Sequence, residues 1–169
     1  MVMQTNLSGT GQSIGSSGAR IIDDGNKKSG GPGPQIMDAK TLTGDTVVNG
    51  AGENLGKIEA IMLDVASGRI AYAVLSFGGF LGMGTKLFAL PWSALTLDAI
   101  EERFVLDASK EKLESAEGFD SDHWPSMADP EWATRIHSYY NVPPYWQHES
   151  AALDPRRSGG EPVGRTVTY

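Results

Sequence analysis

The sequence contains no cysteine. Disulfides, thiolate metal sites, iron–sulfur clusters and thiol nucleophiles are thereby excluded. Long hydrophobic runs are also missing. The longest mainly apolar stretch, Ile70 to Leu81, is broken by Gly78 and Gly79 and is too short to span a bilayer. The N-terminus has no charged region followed by an apolar stretch, so no secretory leader is expected and the cytoplasm is the default location. Basic residues are in deficit: 14 Lys and Arg against 21 Asp and Glu give a formal net charge of -7. A general nucleic-acid binder needs a basic surface to displace counterions from phosphates, so no DNA partner is expected. An acidic balance favours solubility and suits a basic partner surface.

What is present is unevenly spread. A chain of 169 residues accommodates one ordinary domain plus appendages. Residues 1–35 hold many of the 21 glycines, several serines and one strong apolar pair, Ile21 and Ile22, and read as a solvated tail. Order is expected from about Asp38. Asp45 to Asn49, Lys57 to Val65 and Arg69 to Phe77 are β-branched or apolar segments. The second and third of these are joined by a short Ala66-Ser-Gly-Arg69 turn that makes a hairpin, with Asp64 placed to cap it. Lys86 to Leu90 follows a glycine-rich connection and ends at Pro91. Leu95 to Asp98 and Arg103 to Asp107 form a last hairpin-like pair. Helical signals come only afterwards. Ser109 caps 110–116, and Asp129 with Pro130 opens a helix over 130–140, where Trp132, Ile136, Tyr139 and Tyr140 share one face. That face is expected to lie on the β structure or on a second subunit. Residues 149–169 read as another disordered tail.

The ordered set Asn54-Leu-Gly-Lys-Ile58, Leu63-Asp-Val-Ala-Ser-Gly-Arg69, Ala71-Tyr-Ala-Val-Leu75 and Phe88-Ala-Leu-Pro-Trp92 resembles the PRC-barrel family. That family is named for the cytoplasmic domain of the photosynthetic reaction centre H subunit and also includes the C-terminal domain of a ribosome maturation factor. The stretch 118–146 is similar to the tail of short, stand-alone bacterial members. The resemblance implies a mainly β fold, a small barrel of about six strands with a short helical, aromatic-rich C-terminal extension and disordered termini. The division expected is a tail over 1–35, a barrel over 36–108, an extension over 109–148 packed on the barrel or a second subunit, and a tail over 149–169. The family's roles are docking to other proteins, tuning the surroundings of a photosynthetic complex and assisting ribosome assembly. It supplies no general catalytic motif, so no catalytic residue is carried over.

Several constellations imitate sites of chemistry. Gly9 to Gly15 imitates a dinucleotide loop but lacks the strand before it and the helix after it. Gly79 to Lys86 imitates a phosphate loop, but Thr85-Lys86 is in the wrong order and a strand follows it. Asp120, Asp122 and His123 match no calcium loop and read as a solvated turn. His137 and His148 have no partner at triad or metal spacing. No enzyme, cofactor or metal is therefore expected. The candidate interaction residues are Phe80, Leu81 and Met83 on the glycine-rich connection, together with Trp92, Trp132, Tyr139, Tyr140 and Trp146. The functional expectation is a non-enzymatic protein–protein interaction or scaffold module with an unknown protein partner and possible self-association. The alternatives are an accessory of ribosome or RNA metabolism, or a small-ligand or metal-binding protein. No membrane span is expected, with peripheral association left open.

Overall fold

The computed structural model describes residues 18–25, 33–78 and 85–147. Seven strands and three helices occur among them: β1 (Arg20–Ile22), α1 (Ala39–Leu42), β2 (Thr46–Asn49), β3 (Asn54–Asp64), β4 (Arg69–Phe77), β5 (Lys86–Pro91), β6 (Leu95–Asp98), β7 (Arg103–Leu106), α2 (Lys110–Glu114) and α3 (Pro130–Tyr139). A 3₁₀ turn, Trp92–Ala94, joins β5 to β6. The architecture is mainly β with a short helical C-terminal part, as expected. The strands form one sheet in the order β1-β6-β7-β2-β3-β4-β5, which does not close by hydrogen bonding.

The pairings follow from the chain's turns. β3 and β4 are an antiparallel hairpin with Asp64 opposite Arg69, and β4 continues antiparallel into β5. β6 and β7 form the second hairpin, which attaches to the rest through a parallel pairing of β7 with β2. β4 lies between β3 and the edge strand β5 and is buried through its middle. Tyr72 and Ala73 point to opposite faces of the sheet, yet both are buried, so the strand is covered on both sides. β3 is less fully covered than β4. Glu59 is exposed beside buried Ile58, and the strand's far end is open to solvent. The reason is position: β3 lies between short β2 and β4, and its last residues run past the β2 pairing.

Two glycines are required by close approach. Gly56 has φ +135°, and a Cβ there would fall inside the van der Waals surface of the Ser76 carbonyl oxygen across the hairpin. Gly118 lets the backbone pass Lys86 and Phe88. The next residue, Phe119, then exchanges two backbone hydrogen bonds with Leu87, at 2.9 and 2.8 Å. That bridge covers part of the β5 edge, which would otherwise present unpaired backbone groups.

Within the segment read as a solvated tail, Arg20–Ile22 instead forms β1, paired parallel to β6. A three-residue edge strand leaves little periodicity to read, and Ile21 and Ile22 remain 40% and 47% exposed. The C-terminal tail, 149–169, lies outside the described residues, as does most of the N-terminal one.

The core draws on every layer. Val47, Leu55, Ile58, Leu75, Phe88, Leu90, Leu95 and Phe104 from the sheet pack with Leu113 of α2 and with Trp132 and Ile136 of α3 in a single cluster. Among the described residues, no helix is long and apolar enough to cross a membrane.

Candidate docking surface

The β3–β4 hairpin carries the most exposed apolar side chains of the sheet. Leu63 is 60% exposed and Val65 92% exposed. A fully exposed Val or Leu forgoes about 1.5–3 kcal/mol of burial free energy. Single exposed apolar residues are ordinary, but two at one turn make a patch. The turn beneath them is tightly built. The Asp64 carboxylate accepts hydrogen bonds from the backbone N–H groups of Ala66 at 3.1 Å and Ser67 at 3.2 Å, and the N–H of Gly68 bonds to the Asp64 carbonyl at 2.8 Å. The sequence signal for this, an Asp ahead of a Ser-Gly turn, was legible. The donors from Ser67 and Ala66, with a hydroxyl hydrogen bond from Tyr145, hold the Asp64 carboxyl below its ordinary range.

A clasp from the far end of the chain braces the hairpin base. The Arg69 guanidinium Nη1 donates to the Tyr145 carbonyl at 3.1 Å. The Tyr145 hydroxyl lies beside the Asp64 carboxylate. Its ring meets Tyr72 edge-on at 6.2 Å and His137 at 5.9 Å, and Trp146 meets His137 at 5.1 Å. Burial, with the Asp64 charge beside it, pushes the Tyr145 hydroxyl up. Tyr72 lies beneath, 1% exposed, its ring 5.4 Å from Trp132. Its hydroxyl is buried and has no hydrogen-bond partner among the described residues. Burial raises its pKa strongly, so it stays neutral.

The candidate interaction residues are not brought together on one open face. Phe80, Leu81 and Met83 lie outside the described residues. Trp132 and Tyr140 are 6% and 9% exposed and belong to the core of this chain, so in this fold they present no docking surface. The physical reason is the aromatic stripe of α3, which finds its apolar cover on the sheet. Tyr139 is half-buried, its hydroxyl donating to the Lys112 carbonyl at 2.5 Å. Trp146 is half-buried against His137. Trp92 is also half-buried, 5.6 Å from the Phe104 ring, and lines a shallow hollow of about 200 Å³ with Gly18, Arg69 and Ile70. A second hollow of about 180 Å³ lies between Ala116, Glu117, Arg135, Ile136, Tyr139 and Tyr140. Both are smaller than the roughly 300–1,000 Å³ typical of small-molecule sites.

Leu63, Val65, Arg69 and Tyr145 are not among the candidate interaction residues of the sequence. Leu63 and Val65 were hidden because they read as ordinary members of a strand. Leu63 stands at the end of β3, past the β2 pairing, and Val65 in the turn that follows. Arg69 and Tyr145 lie 76 residues apart, and nothing local pairs them. Asp120, Asp122 and His123 are exposed, and no group of three or more His, Asp or Glu residues able to hold a metal occurs among the described residues.

No curated protein matches the chain. Among solved structures, a chain from Pseudomonas aeruginosa described as a 16S ribosomal RNA processing protein, RimM, is similar at 16% identity and a TM-score of 0.32. The likeness covers 53% of this chain and 50% of that one, so it spans about half the length of each. The model of the PRC-barrel domain matches residues 34–113, the segment that runs from the approach to α1 through all of β2 to β7 and into α2. Residues 34–113 of this chain are thus a PRC-barrel domain.

Proposed function

We propose that this PRC-barrel chain is a docking module that binds another protein and performs no chemistry of its own. The observation that carries this reading is the hairpin tip. Leu63 and Val65 are displayed to solvent on a turn held by Asp64 and braced by Arg69 and Tyr145. A rigid apolar tip loses little conformational entropy on binding, and exclusion of water from it supplies affinity. The two shallow hollows are smaller than usual substrate sites.

The test is affinity capture from the native cell with the wild-type chain and with a Leu63→Ser, Val65→Ser double variant. Both positions are solvent-exposed, so the variant should fold with stability close to wild type. The expected result is a protein retained by the wild type and lost from the variant. An identical captured set from both chains, or turnover of a metabolite by the purified protein, would overturn the reading. Retention of ribosomal subunits at moderate salt by both chains would point instead to an accessory of ribosome assembly.

A further inference from the structure

Strand β3 is longer than the strand that flanks it. β2 pairs with it over Asn54 to Lys57, and the last backbone bonds on that side are at Ile58. The Ile58 N–H bonds to the Asp45 carbonyl at 2.9 Å, and its carbonyl accepts from the Gly44 N–H at 2.7 Å. Upstream of Gly44 the chain is coiled into α1 and does not continue along β3. From Glu59 to Asp64, β3 is therefore laddered to β4 alone among the described residues. An antiparallel strand turns the N–H and C=O groups of alternate residues away from its partner, so this overhang presents a short open edge. Its middle is regular. Ala60, Ile61 and Met62 sit opposite Val74, Ala73 and Tyr72 in unbroken register, between shifts at Ile58/Ala60 and Met62/Leu63. Its side chains are of two kinds. Ile61 and Met62 are partly buried and Leu63 is exposed. The charged ones, Glu59 and Asp64, are both acidic.

We infer that this overhang is a site of strand addition: an extended segment of another protein, alternating apolar residues with Lys or Arg, lies beside Glu59 to Asp64 as an extra strand. In this mode main-chain hydrogen bonds supply affinity and alternate side chains supply specificity. Apolar residues of the segment cover Leu63, and its cationic residues face Glu59. Charge decides the occupant. Asp45 stands where the β2 pairing ends, and burial together with the Glu102 charge raises its carboxyl above the ordinary range, so negative charge is already crowded at that end. The chain as a whole carries -7. A field of that sign draws in a basic segment and repels a second copy. Pairing two overhangs about their shared centre also sets Glu59 of each copy directly opposite Asp64 of the other, a like-charge juxtaposition that weakens a ladder. The inference rests on the docking reading and deepens it, naming the backbone edge that receives the partner and the chemistry of the segment received.

The probes are two end-capped peptides, Lys-Val-Lys-Val-Lys-Val-Lys and its counterpart with Glu in place of every Lys. Each is titrated into the full-length protein, and nuclear magnetic resonance reads amide exchange and intermolecular backbone contacts residue by residue. The Lys-Val peptide should bind below about 1 mM and lose affinity as salt rises. It should slow exchange of amides within residues 59–64 by about tenfold or more and give backbone-to-backbone contacts there. The Glu-Val peptide should bind about tenfold more weakly or worse. Glu59→Lys should weaken the Lys-Val peptide several-fold, with unchanged exchange in β4 and β5 showing that the fold is intact. Absence of binding at that concentration, equal binding of the two peptides, or protection confined to other strands overturns the proposal. So does protection of the overhang that grows with protein concentration in the peptide-free chain, since the occupant is then a second copy. The titration reports the edge, and the capture experiment reports Leu63 and Val65. A partner lost from the Leu63→Ser, Val65→Ser variant beside an unprotected edge leaves docking intact and removes strand addition. An identical captured set beside protected edge amides removes the tip and keeps the edge.

Discussion

His137 sits 1% exposed in the interior, and its chemistry follows from what surrounds it. Its Nδ1 lies 2.8 Å from the Ala133 carbonyl, which can only accept, so Nδ1 carries the proton of the neutral ring. Tyr72, Tyr145 and Trp146 close around the ring, and burial lowers its pKa from the ordinary 6.5, against the opposing pull of the Ala133 carbonyl. The hydroxyls facing it, Tyr72 and Tyr145, are both pushed up and stay neutral in this range. The unfolded chain's His137 takes up a proton as pH falls through 6.5, while the folded chain resists. Stability is therefore full above that value and declines as pH falls through it toward the lowered folded value. The urea midpoint should fall between pH 7 and pH 5 more steeply for wild type than for His137→Phe. Equal slopes would show that burial of this ring carries no linkage. Helical periodicity reveals the face of α3 toward the sheet through Trp132, Ile136, Tyr139 and Tyr140. The clasp that covers the ring from the other side returns only after the helix has ended, and no spacing within the helix announces it.

Among the elements, α3 was the most legible and β1 the least. The Asp129-Pro130 start was readable as a cap followed by a residue suited to the first turn. The structure shows the Asp129 carboxylate accepting from the N–H groups of Glu131 at 2.8 Å and Trp132 at 3.2 Å. Ser109 caps α2 in the same manner, accepting from Lys112 at 3.1 Å. Such caps are local chemistry, written within three or four residues. β1 is the opposite case: its partner β6 lies more than 70 residues on, and its own composition is tail-like on both sides. Asp129→Ala should lower stability by about 1 kcal/mol, the usual worth of an N-cap, while Asp129→Ser should recover most of it. Chemical denaturation of the three chains side by side decides this. A neutral Asp129→Ala would mean that packing of Trp132 alone holds the first turn.

At the scale of the whole molecule, the hairpins and their order were readable from turn chemistry, because each turn acts on its immediate flanks. The parallel joining of β7 to β2 was not, since it links segments nearly 60 residues apart and depends on which apolar faces find each other. The sheet and the C-terminal helices share one core: Trp132 of α3 packs on Tyr72 of β4, Leu113 of α2 is 0% exposed, and Phe119 bonds to the β5 edge. The extension is therefore a structural layer of the fold rather than an appendage, and β4 depends on it for cover on one face. Removing the Trp132 side chain should leave a large cavity at that junction and cost about 3–5 kcal/mol. The loss should fall on the sheet and the helix together. For Trp132→Ala, far-UV circular dichroism and the fluorescence of the remaining tryptophans, including Trp92 beside Phe104 in the sheet, should report one coincident transition at a lower denaturant midpoint. An early helical transition that leaves the Trp92 signal at its wild-type midpoint would show instead that the β structure stands without its helical cover, and that the two-sided burial of β4 is a consequence of the fold and not a condition for it.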